Sequence, residues 1–323
     1  MRRSHLQSIA CVIALACATT LPGATPSSAQ TLETIRLGAG PDDQATPLLW
    51  AAKSGLYRRA GLDVQVVKLA GAAAVAAALT GGSLDAGKGS TLTVVTAIAK
   101  GLPFTIVGNL SYYEAEKPDI AMLVATNSSI KTAKDFEGKT LASVSLQDLN
   151  SIATFAWLER GGIDRTHVKF VEVPQSAVVA SIEQGRIDGA STFEPFLTTA
   201  LATGKVRIVG YPHDAIARKY SNSVLFTTAK WAEEHRDALQ RFLRASEEAS
   251  TYITSHAEVS NQLIAEFTGM DPATVVNIRH SRRGIALNPA DLQPVVDAGV
   301  RYKVLANPLA VKDLICSCAL MQR

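Results

Sequence analysis

The stretch RRAGLDVQVVKLAGAAAVAAALTGGSLDAG, residues 58–87, decides the fold class, because a second version of it occurs later in the chain. That version is ERGGIDRTHVKFVEVPQSAVVASIEQGRIDGA, residues 159–190. Each copy reads as a helix end, a strand, a helix and a short strand opened by Gly-x-(Leu/Ile)-Asp. The step from Gly61 to Asp85 is 24 residues, and the step from Gly162 to Asp188 is 26.

A chance likeness is the alternative to duplication, since Gly-x-x-Asp is a common pattern and α/β units resemble one another. The matching order of all the elements favours two α/β halves built alike. The copies lie too far apart along the chain for a solenoid repeat.

The segments around the repeat also alternate between strand and helix patterns. Residues 34–39 (TIRLGA) predict a strand, residues 47–61 predict a helix with Pro47 in its first turn, and residues 62–69 predict a second strand. Strands separated by helices of roughly 10–15 residues indicate βαβ units. We therefore expect each half to be a mostly parallel sheet flanked by helices.

The C-terminal part has a helical character. Leu239, Phe242 and Leu243 fall on one helix face. Two further helices are predicted to start at residues 271–272 (Asp-Pro) and 288–289 (Asn-Pro). We expect this helical C-terminal part to pack back onto the first half.

The N-terminus has the pattern of a secretory signal. A basic start with Arg2 and Arg3 precedes a short apolar run and small residues, which predicts a signal peptide of residues 1–29, cleaved after Ala29. The apolar run is shorter than the roughly 20 residues that span a membrane. A lipoprotein anchored at Cys17 is the less favoured alternative, so a periplasmic location is expected.

Charge and cysteine content exclude several classes. The chain has 32 basic and 29 acidic residues, and two of the basic ones leave with the signal peptide, so the mature protein is nearly neutral. That balance gives no support to a nucleic-acid partner or an anionic membrane surface. Cys316 and Cys318 would close only a strained ring, so we expect no structural disulfide framework.

Enzyme signatures fail on inspection of the sequence. GSLDAGKGST approaches a phosphate-binding loop, but Gly89 stands where serine or threonine is required. The sequence has neither an H-E-x-x-H nor a G-x-S-x-G motif, and its histidines lack metal-ligand spacing. The expectation is no catalytic residue, no metal and no cofactor.

Candidate ligand-binding residues lie in loops at the expected carboxyl ends of strands, where open α/β sheets bind ligands. The four loops are residues 40–46, 89–91, 143–151 and 192–194, two in each half. Backbone N–H groups at Ser90, at Thr91 and in the turn 148–151 would bind an anion or a hydrogen-bond acceptor. Asp42, Asp43 and Glu194 would bind donors such as an amine.

Each acidic candidate also has a purely structural interpretation. Asp42 and Asp43 would equally serve to cap the following helix. Glu194 at a helix start is favoured by the helix dipole alone.

The remaining candidates are open in the same way. Ser90, Thr91, Asn150 and Ser151 are ordinary N-cap residues, although capping and ligand binding can coexist. Tyr112 follows a strand pattern and could stack on a ligand ring or pack in the core. Lys88 could pair with an acid or stay solvated.

Five segments in order along the chain resemble one known family. They are LLWAAKSGLYRRAGLDVQVV, ALTGGSLDAGKGS, AKGLPFTIVG, DFEGKTLASVSLQDLNSIATFAWLERGGID and IEQGRIDGASTFEPFLTTAL. The mature chain thus resembles periplasmic solute-binding proteins of ABC importers, in the group for sulfonates, nitrate, taurine and thiamine-pyrimidine precursors.

The resemblance implies a type II periplasmic-binding fold with two lobes joined by two crossing strands. Lobe 1 would comprise residues 30–118 and 222–323, and lobe 2 residues 119–221. Carried onto the matching motifs, the ligand contacts would be Asp42, Asp43, Gln44, Ser90, Thr91, Asn150, Ser151 and Glu194.

The chain departs from the family in ways that bear on the ligand. It lacks the cysteine cluster of the pyrimidine-forming enzymes and is too short for the long nitrate and bicarbonate branch. The adjacent acids Asp42 and Asp43 would repel a sulfonate. A nitrogen heterocycle or a zwitterion is therefore the other option.

The sequence as a whole predicts an extracytoplasmic binding protein. It would be a monomer that delivers a small polar solute to an ABC permease in the inner membrane by hinge closure. One alternative is an enzyme on the same fold, with Glu194 or Asp43 as general base. Another is a ligand-sensing domain for a membrane receptor.

Overall fold

The computed structural model describes residues 31–69 and 71–322. The predicted signal peptide and the alternative anchor Cys17 lie outside the described residues. From Leu32 onward the described chain forms one unit.

The strands belong to two sheets. In chain order they are Glu33–Ala39 (β1), Leu62–Lys68 (β2), Ala86–Ser90 (β3), Phe104–Glu114 (β4), Ile120–Ala125 (β5), Thr140–Ser143 (β6), Lys169–Glu172 (β7), Gly189–Phe193 (β8), Val206–Gly210 (β9), Lys219–Thr228 (β10) and Arg282–Arg283 (β11). The first sheet has the order β11–β4–β10–β3–β1–β2, and the second has the order β7–β6–β8–β5–β9.

The helices surround these sheets. In chain order they are Thr46–Lys53 (α1), Leu56–Arg59 (α2), Ala72–Thr80 (α3), Thr91–Ala99 (α4), Leu149–Arg160 (α5), Val178–Glu183 (α6), Phe196–Ala202 (α7), Ala229–Glu234 (α8), Arg236–Thr254 (α9), Ala257–Thr268 (α10), Pro272–Val275 (α11), Pro289–Arg301 (α12) and Val311–Leu314 (α13).

The repeated stretch folds in the same way twice. β2–α3–β3 corresponds to β7–α6–β8, and in each sheet the equivalent strands flank the one that precedes them, β1 or β6. The amide of Asp85 donates to the carbonyl of Arg36 at 2.9 Å, and the Asp85 carboxylate accepts from the Arg36 amide at 2.7 Å. Asp188 makes both contacts with Thr140, each at 2.8 Å. The likeness read from the sequence is therefore structural.

The glycines of the repeat have the same backbone role in both copies. Gly61 and Gly162 have φ of 75° and 83°, and Gly82 and Gly185 have φ of 72° and 64°. Residues with a Cβ avoid this left-handed region, so each glycine permits the turn that ends a helix. Gly55, with φ of 78°, does the same within the predicted helix 47–61 and divides it into α1 and α2.

The sheets are less parallel than predicted. β1, β2 and β3 are parallel, as are β6, β7 and β8, but the remaining pairs in both sheets are antiparallel. The chain passes from the first sheet to the second between Glu114 and Ile120 and returns between Gly210 and Lys219. β5 and β10 each follow a strand of the other sheet rather than a crossover helix. Both run antiparallel to the strands on either side of them.

The helices of the C-terminal part pack on the first sheet. Leu239, Phe242 and Leu243 of α9 are fully buried against Ile35 and Leu37 of β1. On the other face of the first sheet, α12 packs with α3 and α4. At roughly 25 cal/mol per Å² of apolar surface, such burial is the main stabilising contribution.

The expectation about the cysteines is wrong in one respect. Cys316 and Cys318 are joined by a disulfide, with Cα atoms 5.0 Å apart. Cys318 is 1% exposed and packs in the core, and the Cys316 amide donates to the Ile106 carbonyl at 2.9 Å. Because the fold already holds this tail in place, the two thiols meet.

Candidate functional site

Asp43, in the loop after β1, is fully engaged by the C-terminal part. It is 2% exposed and accepts hydrogen bonds from His280 Nδ1 at 2.8 Å, from the amide and hydroxyl of Ser281 at 3.0 Å, and from the Arg283 guanidinium. Burial raises the pKa of Asp43, but the charge of Arg283 and the bonds from His280 and Ser281 outweigh it and hold the pKa far below its usual range. Asp43 is an ionised, fully coordinated carboxylate.

Asp42 is held by Lys88 of β3 in an ion pair. Lys88 is 7% exposed, so a solvated lysine is the wrong interpretation: a buried ammonium requires a partner, and Asp42 supplies it. The other oxygen of Asp42, Oδ1, is buried and has no hydrogen-bond partner among the described residues. Neither Asp42 nor Asp43 caps the following helix with its side chain.

Glu194 directly follows β8 and lies opposite Asp119 in the antiparallel pair β5–β8. The Glu194 amide donates to the Asp119 carbonyl at 3.1 Å. The peptide bond between Glu194 and Pro195 is cis. The Glu194 carboxylate accepts from the Thr198 amide at 3.1 Å and the Thr198 hydroxyl at 2.8 Å. Burial raises the pKa of Glu194 despite these bonds.

Asp119 was missed by the sequence reasoning. It is 4% exposed, and in the described part of the chain no hydrogen bond reaches its carboxylate from another side chain. Burial, followed by the charge of Asp43 and Glu194, raises the pKa of Asp119 to about 8. Asp43, Asp119 and Glu194 are called the carboxylate cluster below. The signal was present in the sequence, because Asp119 adjoins the buried strand IAMLVA.

Residues 277–283, called the connecting segment, join the two sides of this cluster. The Arg279 amide donates to Glu194 at 3.2 Å, and the Thr198 hydroxyl lies 3.5 Å from the Asn277 carbonyl. The next residues along the segment bind Asp43, as described above. The segment thus links an acid of the first sheet to an acid of the second.

Ser90 and Thr91 begin α4 at the carboxyl end of β3. Ser90 is the N-cap residue, but its side chain makes no capping bond, and its buried Oγ has no partner among the residues that the structure describes. Strand register places Ser90 beside Ser223, then Ser111, then Arg283, and the Ser111 and Ser223 hydroxyls are 2.9 Å apart. Ser90, Ser223 and Ser111 therefore lie on adjacent strands of the first sheet, in a row that ends at Arg283.

Asn150 and Ser151 begin α5, but the N-cap residue is Asp148, whose carboxylate accepts from the Ser151 amide at 2.9 Å. The Ser151 hydroxyl donates to the Ser145 carbonyl at 2.6 Å. Asn150 Oδ1 lies 2.9 Å from Nε2 of His213, whose pKa burial lowers to about 3. His213 is thus neutral and donates to Asn150. The side chains of both predicted contact residues are therefore already hydrogen-bonded within the protein.

The two helix starts approach each other through an apolar cluster. Leu92 of α4 packs with Leu149 and Ile152 of α5. The structure therefore brings the Ser90–Thr91 and Asn150–Ser151 loops onto neighbouring helices.

Tyr112 and Gln44 are the remaining candidates. The Tyr112 hydroxyl donates to the Ala286 carbonyl at 3.1 Å and accepts from Gln322 at 2.7 Å, while the Lys219 ammonium lies 4.7 Å from its ring centroid. Its ring and hydroxyl are therefore engaged by the protein. Gln44 is half-buried in the loop after Asp43.

A separate cavity of about 510 Å³ lies between α5, residues 215–217 and α12. Its lining includes Glu159, Arg160, Ile216, Asp297 and Tyr302. None of the predicted ligand contacts lines it.

Residues 31–69 and 71–322 contain neither a membrane-spanning helix nor a cluster of metal ligands. None of the helices there combines the length and apolar character that crossing a bilayer requires. No group of three or more metal-ligating side chains occurs among them either.

The five strands of the second sheet follow the order of five of the six strands of the first sheet, and the chain crosses twice between the sheets. This topology is that of the periplasmic-binding-protein class of α/β fold. The chain belongs to the NMT1/THI5-like family, whose model matches residues 42–259.

Curated relatives in this family include binding proteins. The chain is 25% identical over 217 residues to a putative aliphatic sulfonates-binding protein of Escherichia coli, covering 67% of this chain and 66% of that protein. It is 24% identical over 295 residues to one of Bacillus subtilis, covering 88% and 86%. The crystal structure of the periplasmic aliphatic sulphonate binding protein SsuA from Escherichia coli has a TM-score of 0.75 at 21% identity, covering 90% and 94%.

One relative is an enzyme. The chain is 24% identical over 249 residues to a 4-amino-5-hydroxymethyl-2-methylpyrimidine phosphate synthase of Legionella pneumophila, covering 74% of this chain and 75% of that protein.

Proposed function

We propose that the protein is an extracytoplasmic solute-binding protein that delivers a small polar organic solute to an ABC-type importer. The ligand would lie between the two sheets near Ser90 and Glu194. Residues 30–118 and 222–323 would form lobe 1, and residues 119–221 would form lobe 2. The protein would be a periplasmic monomer.

One observation carries this proposal. Polar residues of both sheets converge on one region, where the connecting segment binds Asp43 on one side and Glu194 on the other. A solute between the sheets would touch both halves only when they are closed. Its binding would therefore favour the closed form by hinge rotation at the two chain crossings.

The location has independent support. The sequence begins with a signal-peptide pattern, and the Cys316–Cys318 disulfide suits an oxidising compartment such as the periplasm.

Native purification followed by mass spectrometry tests the proposal. A co-purified solute should appear on denaturation, and small-angle scattering should show compaction when it is added back to stripped protein. An unchanged radius of gyration with the recovered solute, or the absence of any recovered solute, would contradict the proposed function.

The Legionella relative favours one second candidate, an enzyme on the same fold. Glu194 is its better general base, because burial raises the pKa of Glu194, whereas the pKa of Asp43 is far below neutral. Incubation of the recovered solute with the protein distinguishes the two. Product formation that is lost in Glu194→Gln supports the enzyme, and recovery of unchanged solute supports the carrier.

A further inference from the structure

Two of the acids that stand out in the sequence, Asp42 and Asp43, add little net charge to the proposed site. Lys88 neutralises Asp42, and Arg283 neutralises Asp43. Within the carboxylate cluster, Asp119 and Glu194 have no ion-pair partner among the described residues, and they are 4% and 3% exposed. When these two groups are ionised, the cluster is acidic on the side of the second sheet.

Strand register places these two groups side by side. Asp119 opposes Glu194, and Ala121 opposes Thr192, so the side chains of Asp119, Glu194 and Thr192 share one face of the second sheet. Directly opposed residues have Cβ atoms about 4.5–5.5 Å apart. Two carboxyl groups at that separation repel when both are ionised.

Unpartnered buried groups point to a ligand at the same place. Thr192 is fully buried, and its Oγ1 has no hydrogen-bond partner among the described residues. Arg283, with a side chain 2% exposed, contacts Asp43 through one guanidinium nitrogen while its Nε is also without a described partner. Buried polar groups are normally hydrogen-bonded, so these atoms require an occupant.

We infer that the solute of the proposed function is a cation, and that Asp119 and Glu194 are the residues that select it. The inference rests on that proposed function and names its substrate class. A protonated amine or amidine would donate to both carboxylates and relieve their repulsion. A sulfonate or carboxylate would be repelled, in a site of low dielectric, by each of these two groups that is ionised.

The ionisation of Asp119 makes the inference testable by pH. The groups facing Asp119 are Asp43, Glu194, Arg283, Tyr113 and Tyr220, and His280 binds Asp43. Because Asp119 holds a proton up to about pH 8, a cation that binds its ionised form must displace that proton into solvent. Affinity should then rise about tenfold per pH unit between pH 6 and pH 8.

Two pairs of shape-matched probes measure the selectivity. Benzamidinium is compared with benzenesulfonate, and propylammonium with propanesulfonate, by isothermal titration calorimetry at pH 6, 7 and 8. We expect the cation of at least one pair to bind tenfold or more tightly than its anion. Asp119→Asn should abolish the pH dependence and weaken cation binding tenfold or more, and Glu194→Gln should weaken it similarly.

The matched control is Asp237→Asn, because the Asp237 side chain is 88% exposed and lies on α9 away from the cluster. Its affinity and pH dependence should equal those of the unmodified protein. Three outcomes would overturn the inference. The first is a sulfonate that binds as tightly as its matched cation or more tightly, and the second is no binding of either cation at the highest probe concentration at which the protein stays folded. The third is a pH dependence of affinity that is retained in Asp119→Asn. Compaction with a sulfonate would overturn it while leaving the proposed function intact.

Discussion

The two sheets share the order of five strands, but the acids beside them are in opposite states of charge. Asp43, at the first sheet, is buried beside Arg283, and its pKa falls far below the usual range. Asp119, at the second sheet, is equally buried without a cationic partner, and its pKa rises to about 8. Burial acts in the same direction on both carboxyl groups, so the partner decides whether the group is charged.

Removing the partner of Asp43 should have the largest effect. Arg283→Met leaves a buried carboxylate unpaired and should lower the free energy of unfolding by about 3–5 kcal/mol, measured by urea denaturation at pH 7. The added substitution Asp43→Asn should recover part of the loss.

The neighbouring arginine is the control for that experiment. Arg282→Met removes the contact of an exposed side chain with Glu114, which should cost less than about 1 kcal/mol. Equal losses for the two arginine variants would contradict the contrast between the sheets.

Removing the charge of Asp119 should instead stabilise the protein at high pH. The folded-state pKa is raised, so the folded state binds the proton more tightly and stability falls as the pH rises from about 4 to 8. The full shift corresponds to an upper bound of about 6 kcal/mol, and we expect roughly half, because the amide of Asp119→Asn is also buried without a partner.

The measurement is the free energy of unfolding at pH 5 and pH 8. Asp119→Asn should flatten the decrease between those values. A variant that is less stable than the unmodified protein at pH 8 would show that the Asp119 carboxylate has a cationic partner after all.

Lys88→Met tests the second ion pair of the first sheet. Asp42 is more accessible than Asp43, with a side chain 19% exposed, so water solvates it in part. The expected loss is about 2 kcal/mol in the free energy of unfolding. Lys53→Met, which removes an exposed pair with Glu266, should change stability by less than about 1 kcal/mol; an equal effect would show that burial does not set the strength of the Lys88 pair.

The smallest effect is expected where the two halves meet beside the cavity. Glu159 of α5 accepts from Arg301 at 3.0 Å and from the Tyr302 hydroxyl at 2.8 Å. Glu159→Gln should cost less than about 1 kcal/mol, because Arg301 is 70% exposed. Thermal unfolding measures this, and a larger loss would place part of the coupling between the halves at this contact.

Much of the fold was predictable from residues alone. The repeated Gly61 and Gly162, and the repeated Asp85 and Asp188, have the same conformations and contacts in both halves. The glycine turns depend on local sequence, since glycine permits a left-handed backbone. The aspartate contacts reach a strand 49 or 48 residues earlier and were predictable only through the repeat. Leu239 on its helix face was predictable from local sequence.

The candidate site was predictable only in outline. Ser90 and Glu194 lie where expected, at the ends of β3 and β8. The partners of the acids were not predictable: Arg283 is 240 residues from Asp43, and nothing in the local pattern joins them. Asp119 was missed because its importance comes from the strand opposite it.

The sequence by itself determined the secondary-structure order, the duplication and the polar loops at the strand ends, because periodicity and turn residues act over a few neighbouring positions. Only the tertiary structure decided which acids are neutralised. Ionisation depends on burial and on charges within a few ångströms, and those neighbours come from distant parts of the chain.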